Sequence, residues 1–294
     1  MTPLRPIRKV GFIGLGIMGS SMAGHVQAAG YELHVFNRTR AKADELVARG
    51  AVWHDRPGEL AAACDAVISI VGMPDDVEAL YLGADGLIAR AAPGTVLADM
   101  TTSSPSLAMR IAAAGVERGV PVLDAPVSGG DVGARNARLS IMVGGEETAF
   151  AHLAPVFAAM GDNILRQGGP GAGQHTKMAN QIAIACNMMA VCESLSYAAR
   201  AGLDPRAVLK SIGTGAAASF ALSVLGPRML DGDFAPGFYV RHFIKDMGIA
   251  LAEAEHMGLD LPGLAQAKRL YDTLAAAGHA DDGTQALFRL YAGL

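Results

Sequence analysis

The feature that most constrains the fold is a glycine-rich turn close to the N-terminus, Gly14-Leu15-Gly16-Ile17-Met18-Gly19. An apolar run over residues 9–14 leads into it, and a helical pattern over residues 18–29, closed by Gly30, follows it. A short buried strand that passes through glycines directly into a helix is typical of the first half of a βαβ unit. The N-terminal part of the chain is therefore predicted to be an α/β structure.

The alternation of strand and helix continues along the first part of the chain. Further β-rich runs predict strands at residues 33–36, 67–71, 96–100, 120–127, 140–143 and 163–166. Helical patterns cover residues 40–49, residues 105–119 with Ser104 as the N-cap, and the stretch after Glu146. Strands separated by helices of this length predict a doubly wound parallel sheet of the Rossmann class.

The predicted secondary structure changes at a glycine cluster, Gly168-Gly169-Pro170-Gly171-Ala172-Gly173. Beyond it β-like runs nearly vanish, and helical patterns cover residues 174–200, 205–211, 243–257, 264–277 and 285–291. The first of these is apolar on nearly all sides, which suits a helix buried between domains or subunits. We predict a Rossmann domain over residues 1–170, followed by an all-α domain over residues 171–294.

Composition excludes several classes of partner. The 294 residues include 24 basic and 28 acidic side chains, a formal net charge of −4, with no run of Lys or Arg, which argues against nucleic acid or a membrane surface as a partner. The three cysteines form no disulfide framework, and no Cys/His set has zinc-like spacing, so no metal is expected. The N-terminal segment lacks the apolar core of a signal peptide, and we predict a cytoplasmic protein.

The glycine-rich turn itself predicts a dinucleotide site, because it follows a strand and opens a helix. Gly14 permits the tight turn, Gly16 lets a pyrophosphate approach the backbone, and Gly19 lets helix and strand pack closely. The free N–H groups at the start of the helix favour phosphate. The alternative is an ordinary glycine-rich turn. The predicted cofactor contacts here are Phe12, Ile13, Gly14, Leu15, Gly16, Ile17, Met18 and Gly19.

The end of the second predicted strand indicates which dinucleotide binds. An NAD site usually has Asp or Glu there, whereas this chain has Asn37-Arg38-Thr39. Arg38 can pair with a 2′-phosphate, and Asn37 and Thr39 can donate or accept hydrogen bonds, so NADP is predicted, with NAD also possible. The alternative is that Arg38 is solvated or stacks on adenine. Two further strand ends should line the same crevice, Val71-Gly72-Met73-Pro74 and Met100-Thr101-Thr102-Ser103.

Lys177 is the first candidate for acid–base chemistry. Transfer of a hydride leaves a developing alkoxide, which needs a proton donor and a nearby cation. Lys177 is an ionisable side chain in an apolar helix, with Asn180 on the same face and Asn187 continuing that stripe. The alternative is a lysine at a helix end whose ammonium reaches solvent. His175 is a rival proton carrier of lower rank.

Two further runs are candidates for the same site. Asp124-Ala125-Pro126-Val127-Ser128-Gly129-Gly130 follows a strand, and its glycines expose backbone N–H groups that suit a carboxylate. Taken alone, the run is also compatible with a simple turn. Lys245 and Asp246 lie in or beside a helix, where such a pair is more often a surface ion pair, and the neighbouring Arg241 and His242 are weaker candidates.

Together these motifs resemble those of the β-hydroxyacid dehydrogenase family, which includes 3-hydroxyisobutyrate dehydrogenase and tartronate semialdehyde reductase (2-hydroxy-3-oxopropionate reductase). The resemblance covers nearly the whole chain, from Gly11 onward, and rests on the order of four motifs. They are residues 11–19, residues 124–130, Gly171-Ala172-Gly173 with Lys177 and Asn180, and Lys245-Asp246.

The resemblance implies an NAD(P)-dependent oxidoreductase that interconverts a short-chain 3-hydroxy acid and its semialdehyde. It implies that Lys177 is the general acid/base, that Asn180 anchors the substrate, and that Ser128, Gly129 and Gly130 hold the substrate carboxylate. Lys245 would lie against the nicotinamide and the substrate, with Asp246 supporting it. Val71, Met73, Pro74 and Thr102 would contact the cofactor. The family further implies a homodimer or homotetramer formed through the long helix.

The sequence departs from the family pattern at a few positions. His25 stands where many members carry Asn, Asn37-Arg38-Thr39 replaces the acid of NAD-dependent members, and Arg135 and Arg138 add charge after the substrate motif. Two other functions are compatible with the architecture. An imine reductase usually lacks the lysine found here at Lys177, and a non-catalytic NADP-binding interaction protein tends to carry additional modules.

Overall fold

A computed structural model describes residues 3–292 of the chain. Contacts between residues divide the chain into two units, with the boundary between Lys177 and Met178. Each unit is described by itself below. The domain limits at residues 170 and 171 stay a prediction.

The N-terminal unit is built on one nine-stranded sheet with the order β3-β2-β1-β4-β5-β6-β8-β7, in which β9 also pairs with β8. The pairs from β3 through β6 and the pair β8–β9 are parallel, as predicted for a doubly wound fold. The strands are β1 (Lys9–Ile13), β2 (Glu32–Phe36), β3 (Val52–Trp53), β4 (Ala66–Ser69), β5 (Val96–Asp99), β6 (Val122–Asp124), β7 (Val127–Ser128), β8 (Leu139–Gly144) and β9 (Gly161–Gly168).

Helices cover both faces of this sheet and bury two apolar clusters. One cluster packs around Phe12, Val35 and Leu123, and the other around Leu60, Tyr81 and Leu97. The helices are α1 (Gly19–Ala28), α2 (Asp44–Ala48), α3 (Pro57–Ala63), α4 (Pro74–Leu82), α5 (Leu87–Arg90), α6 (Pro105–Glu117), α7 (Gly130–Arg135) and α8 (Glu147–Phe157). The predicted N-cap is present, since Ser104 Oγ accepts a hydrogen bond of 3.2 Å from the amide of Leu107.

The predicted strand over residues 120–127 was wrong in its extent. It is split into β6 and β7 around Ala125-Pro126, because proline has no N–H to donate to a ladder. β8 pairs antiparallel with both β6 and β7, so this end of the sheet is mixed. The predicted helix over residues 40–49 begins as a 3₁₀ turn at Arg40–Ala43 before α2.

The second unit, Met178–Leu294 by contacts, is helical in its described part. Its core gathers buried side chains such as Met188, Leu195, Phe243 and Tyr271. The helices are α9 (Ala172–Arg200, which begins in the first unit), α10 (Pro205–Ile212), α11 (Gly226–Leu230), α12 (Val240–His256), α13 (Pro262–Leu274) and α14 (Arg289–Ala292). The sequence did not predict α11 or the π-helical turn before it, Ala221–Leu225.

α9 has 29 residues, which makes it the longest helix of the described chain. By length and apolar composition alone it would be long enough to cross a membrane, a criterion that core helices of soluble proteins also meet. Its sequence includes the ionisable Lys177 and Glu193 and several amides, so it is not an uninterrupted apolar segment.

Candidate active site

The glycine-rich turn forms a tight cradle between β1 and α1. Gly14 has φ +96°, and a Cβ on it would lie 2.0 Å from the carbonyl oxygen of Ile70. A Cβ on Gly19 would lie 1.9 Å from the carbonyl oxygen of Gly14, so helix and strand pack closely here. At Gly16, by contrast, a Cβ would have no heavy atom within 4 Å. The turn is closed on its protein side and open at Gly16, which fits the approach of a dinucleotide pyrophosphate.

The end of β2 is tied to this turn by Asn37. Asn37 Oδ1 accepts a hydrogen bond of 2.9 Å from the amide of Leu15, and its Nδ2 donates to the carbonyl of Thr39 at 2.9 Å. Asn37 thus shapes the loop by bonding to main chain on both of its sides. An Asp here would keep the acceptor for Leu15 and add a negative charge.

Arg38 extends from the same loop and is 81% exposed, so it is accessible to a ligand. Its Nη1 lies 3.2 Å from Oδ1 of Asp76 in the first turn of α4. Asp76 Oδ2 also accepts a hydrogen bond of 3.1 Å from the amide of Met73, which caps the helix. Asp76 was not among the predicted site residues, although an acid three residues after Met73, with Pro74 between them, is a recognisable capping pattern.

The ends of β4 and β5 are joined through a buried carboxylate, Asp99. Its Oδ1 accepts hydrogen bonds from Ser69 Oγ at 2.9 Å and from the amide of Thr101 at 3.1 Å. Thr101 Oγ1 in turn accepts from the amide of Val71 at 2.9 Å, and Tyr81 lies 2.9 Å from Ser69 Oγ. Burial raises the pKa of Asp99 to about 6. This network fixes the two loops that carry the predicted cofactor contacts Val71 and Thr102.

Lys177 is buried, and its position is defined within the N-terminal unit. Its Nζ donates a hydrogen bond of 2.8 Å to the carbonyl of Val127, the residue before Ser128. The following glycines have φ +129° (Gly129) and +63° (Gly130), conformations that favour glycine. A Cβ on Gly130 would meet nothing within 4 Å. The ammonium therefore lies beside the backbone that the sequence predicts to seat a carboxylate, with open space at Gly130.

The start of α9 is anchored on Asp124. Asp124 accepts hydrogen bonds of 2.8 Å from the amides of Gly171 and Gln174, one on each carboxylate oxygen. Burial raises the pKa of Asp124, and these backbone hydrogen bonds oppose that rise. A Cβ on Gly173 would lie 2.6 Å from the carbonyl oxygen of Asp124. The glycine cluster around Gly171 is thus a site of close packing, and it is also where the strand patterns of the sequence give way to helical patterns.

The helical unit holds a chain of polar side chains around Asp246. Asn180 Nδ2 donates to Gln181 Oε1 at 2.7 Å, and Gln181 Nε2 donates to Asp246 Oδ2 at 2.6 Å. Lys245 Nζ lies 3.0 Å from Asp246 Oδ1. The Lys245 and Asp246 side chains are only 9% and 1% exposed, so the alternative of a surface ion pair is wrong. Gln181, which sequence reasoning missed, connects the predicted substrate residue Asn180 to this pair.

The lower-ranked candidates from the sequence lie outside these hydrogen-bond networks among the described residues. His175 and Asn187 are exposed on α9. Arg241 pairs with Asp281, and burial together with nearby Lys245 lowers the pKa of His242.

The side chains that depart from the family pattern make hydrogen bonds or ion pairs within the N-terminal unit. His25 Nε2 lies 3.1 Å and 3.0 Å from the carbonyl oxygens of Ala134 and Arg135, linking α1 to α7. Arg135 pairs with Asp131 at 2.7 Å, and Arg138 pairs with Asp162 at 3.1 Å. Both arginines are therefore already neutralised by acids of the same unit.

Two family models match the chain almost end to end. The NAD-binding domain of 6-phosphogluconate dehydrogenase matches residues 9–169, and the NAD-binding domain of NADP-dependent 3-hydroxyisobutyrate dehydrogenase matches residues 171–291. The chain belongs to the β-hydroxyacid dehydrogenase family. This confirms the resemblance seen in the motifs, and it makes the chain an oxidoreductase that uses a nicotinamide cofactor.

Curated relatives cover the same length. An uncharacterized oxidoreductase of Bacillus subtilis is 55% identical over 97% of this chain and 99% of its own. A probable 3-hydroxyisobutyrate dehydrogenase-like protein of Arabidopsis thaliana is 50% identical over 95% of this chain and 84% of its own. The 2-hydroxy-3-oxopropionate reductase of Escherichia coli is 42% identical over 92% of both chains.

Solved structures confirm the fold class. The 3-hydroxyisobutyrate dehydrogenase of Mycobacterium tuberculosis, crystallised with L-serine, has a TM-score of 0.88 and 30% identity over 97% of this chain and 99% of its own. A complex of the protein Psf3 with NADP⁺ and 2-OPP has a TM-score of 0.88 and 27% identity, covering 96% of this chain and 99% of that one. An imine reductase of Streptomyces aurantiacus, at 23% identity and a TM-score of 0.62 over 96% and 99%, shares the fold alone.

Proposed function

We propose that this enzyme interconverts a short-chain 3-hydroxy acid and its semialdehyde, with NADP as the preferred cofactor and Lys177 as the general acid/base. The observation that carries the proposal is the buried Lys177 ammonium, 2.8 Å from the carbonyl of Val127, which directly precedes Ser128, Gly129 and Gly130 in the chain. A cation and exposed backbone amides within one segment suit a substrate with a carboxylate and a reacting oxygen.

Each group then has a defined task. Bound cofactor supplies or accepts the hydride. Lys177 donates a proton to the substrate oxygen during reduction, takes it back during oxidation, and stabilises negative charge on that oxygen. Ser128, Gly129 and Gly130 bind the carboxylate. We assign Asn180 and Lys245 to the substrate as well, because both belong to the buried polar chain around Asp246.

The preference for NADP rests on the end of β2. No carboxylate follows this strand, and Arg38 is exposed and able to form a bidentate pair with a 2′-phosphate. Asp76, 3.2 Å from Arg38, competes for the same guanidinium, and this competition leaves room for use of NAD. The remaining cofactor contacts are proposed at the glycine-rich turn, at Thr39, at Val71, Met73 and Pro74, at Thr102, and at Lys245 and Asp246.

The substrate class follows from the relatives. The relatives named above include a probable 3-hydroxyisobutyrate dehydrogenase-like protein and a 2-hydroxy-3-oxopropionate reductase, whose names describe short hydroxy acids. We extend that class to this chain, together with a cytoplasmic location and assembly as a homodimer or homotetramer. The presence of Lys177 favours this reading over an imine reductase, and its burial at a hydrogen-bonded position favours it over a non-catalytic NADP-binding protein.

A panel assay tests the proposal. The purified enzyme is given NADPH or NADH with glyoxylate, with succinic, methylmalonic or tartronic semialdehyde, or with a cyclic imine for comparison. Oxidation of the cofactor is followed by absorbance. We expect turnover with at least one semialdehyde, and a higher kcat/KM with NADPH. Binding of NADPH without turnover on any of these compounds would instead support a non-catalytic protein, and turnover on a cyclic imine alone would support an imine reductase.

A further inference from the structure

Gln174 is a fully buried amide in the first turns of α9, three residues before Lys177. Its side chain bonds to two main-chain groups: Nε2 donates to the carbonyl of Thr101 at 2.7 Å, and Oε1 accepts from the amide of Ser103 at 3.0 Å. One side chain therefore holds both sides of Thr102, a predicted cofactor contact.

The main chain of the same residue is fixed from a second direction. The amide of Gln174 donates to Asp124 Oδ2 at 2.8 Å, and Asp124 Oδ1 accepts from the amide of Gly171 at 2.8 Å. Asp124 ends β6, and Val127, which accepts the hydrogen bond from Lys177, begins β7 just after it. The start of α9 is thus attached both to the segment after β5 and to the segment after β6.

These attachments close a ring of contacts. The ring runs from Gln174 along one turn of helix to Lys177, across to Val127, and back through Asp124 to Gln174. The Gln174 side chain attaches Thr101 to this ring from outside. Among side chains that are ordinarily uncharged at neutral pH, only an amide of this length can donate to one carbonyl and accept from one amide at the same time. Gln174 and Lys177 lie three residues apart on one face of α9. The position of Lys177 therefore depends on that of Gln174.

We propose that Gln174 is a positioning residue, which sets the distance between the Lys177 ammonium and the loop that carries Thr102. The inference rests on the proposed role of Lys177 in proton transfer. Gln174 is fully buried and both ends of its amide bond to the main chain, so we assign it no contact with substrate or cofactor. Its loss lets the start of α9 and the Thr101–Ser103 loop move independently, and a displacement of about 1 Å between reacting groups lowers rates by about 100-fold.

Gln174→Met is the first test, since methionine has a similar length and makes neither hydrogen bond. The matched control is Gln27→Met in α1, which removes a side-chain amide that donates to the carbonyl of Arg49 at 3.0 Å. Measurements are made at equal folded fraction. We expect Gln174→Met to lower kcat by about 10- to 100-fold and to raise the primary isotope effect with NADPH that carries two deuterium atoms at nicotinamide C4. Gln27→Met should leave both unchanged.

Gln174→Glu gives a second, pH-dependent readout. A protonated glutamic acid presents one donor and one acceptor, as glutamine does, whereas a carboxylate presents acceptors only. The kcat of Gln174→Glu relative to the wild type should therefore rise as pH falls, while that of Gln174→Met stays constant. A residue that served stability alone would lower the folded fraction but would not change the isotope effect or this ratio.

Lys177→Ala separates this inference from the function on which it rests. If Lys177→Ala is inactive and Gln174→Met keeps the wild-type kcat and isotope effect, the positioning role is wrong and the proposed function survives. If Lys177→Ala keeps most of its turnover, the acid/base role proposed for Lys177 and the positioning role proposed for Gln174 are both wrong. A drop in kcat with a raised isotope effect in Gln174→Met, together with an inactive Lys177→Ala, supports both.

Discussion

The two units hold their buried polar residues in different ways. In the N-terminal unit, Asp99, Asp124 and Gln174 bond mostly to main-chain groups. In the helical unit, Asn180, Gln181, Asp246 and Lys245 bond to one another through side chains. Main-chain partners are supplied by the fold whatever the neighbouring side chains are, whereas a side-chain partner is lost with a single substitution.

This difference separates a network held by the main chain from one that depends on individual side chains. The N-terminal network fixes the loops assigned to cofactor and the ammonium assigned to catalysis. The helical network can be altered one side chain at a time, so we expect differences in substrate choice among family members to arise there. The predictions below test whether the two networks respond differently to substitution.

The largest expected effect is that of Lys177→Ala in the N-terminal unit. Removal of a general acid/base lowers kcat by about 10²- to 10⁴-fold. The Kd for NADPH, measured by the fluorescence of the bound cofactor, should stay within about twofold, since Lys177 is assigned to the substrate oxygen. Lys210→Ala, an exposed lysine of α10, is the matched control and should keep wild-type kcat. Retention of most of the rate in Lys177→Ala would refute the catalytic assignment.

The second effect compares two Lys–Asp pairs of the helical unit. Asp246 is 3.0 Å from Lys245 and buried, while Asp272 is 2.8 Å from Lys268 and 46% exposed. Asp246→Asn leaves a buried ammonium without its counter-charge and should lower the free energy of unfolding by about 3–5 kcal/mol. Asp272→Asn should lower it by about 0–1 kcal/mol. Urea unfolding at pH 7 measures both, and equal losses would mean that the Asp246 network is not set apart by its burial.

The third effect is the pH dependence of stability that Asp99 contributes. Its pKa is raised from 3.8 to about 6 in the folded protein, so between these pH values the native state binds the proton more tightly than the unfolded state does. This contribution is present at low pH and is lost as pH rises through about 6. The shift corresponds to about 3 kcal/mol.

Asp99→Asn removes that contribution while keeping an acceptor for Ser69 and Thr101. The free energy of unfolding of the wild type minus that of Asp99→Asn should therefore fall between pH 4 and pH 7, by about 3 kcal/mol. Chemical denaturation at a series of pH values measures the difference. A difference that stays constant over this range would show that Asp99 has an ordinary pKa.

The sequence predicted the parts of the molecule that local patterns encode. The turn at Gly14–Gly19, the parallel strands and the N-cap Ser104 all depend on residues close together in the chain. The break at Pro126 and the antiparallel pairing of β8 were missed, because strand direction at a sheet edge depends on distant residues. The family resemblance supplied the candidate roles of Lys177 and Lys245, which composition and spacing alone left open.

The supporting residues of the site were missed for a related reason. Gln174, Gln181 and Asp99 are polar residues in apolar segments, and nothing in the sequence says whether such a side chain faces solvent or a buried partner. Their partners are far away in the chain, as with Thr101 for Gln174 and Asp246 for Gln181. Asp76 was more accessible to prediction, since its capping pattern is local.

The smallest expected effects concern cofactor choice at the end of β2. Arg38→Ala should weaken NADPH binding by about 10-fold or more, because it removes a charge-assisted hydrogen-bonded pair with the 2′-phosphate. NADH binding should change by less than about twofold, because NADH lacks the 2′-phosphate. Arg56→Ala, another exposed arginine, which pairs with Glu59, is the control. Asp76→Asn keeps an acceptor for Met73 but frees Arg38, and should tighten NADPH binding by about twofold to fivefold. Equal losses for both cofactors in Arg38→Ala would refute the NADP preference.

The central claim, lysine-dependent hydride transfer to a semialdehyde, is tested most directly by following the transferred atom. Enzyme in excess is mixed with the semialdehyde that gives the fastest turnover and with NADPH that carries deuterium at both C4 positions of the nicotinamide. The product is analysed by mass spectrometry and NMR. The account predicts one deuterium on the carbinol carbon of a hydroxy acid within a single turnover by the wild type, and a transfer at least about 100-fold slower by Lys177→Ala. Deuterium transfer at the same rate by both proteins, or a product without deuterium, would contradict it.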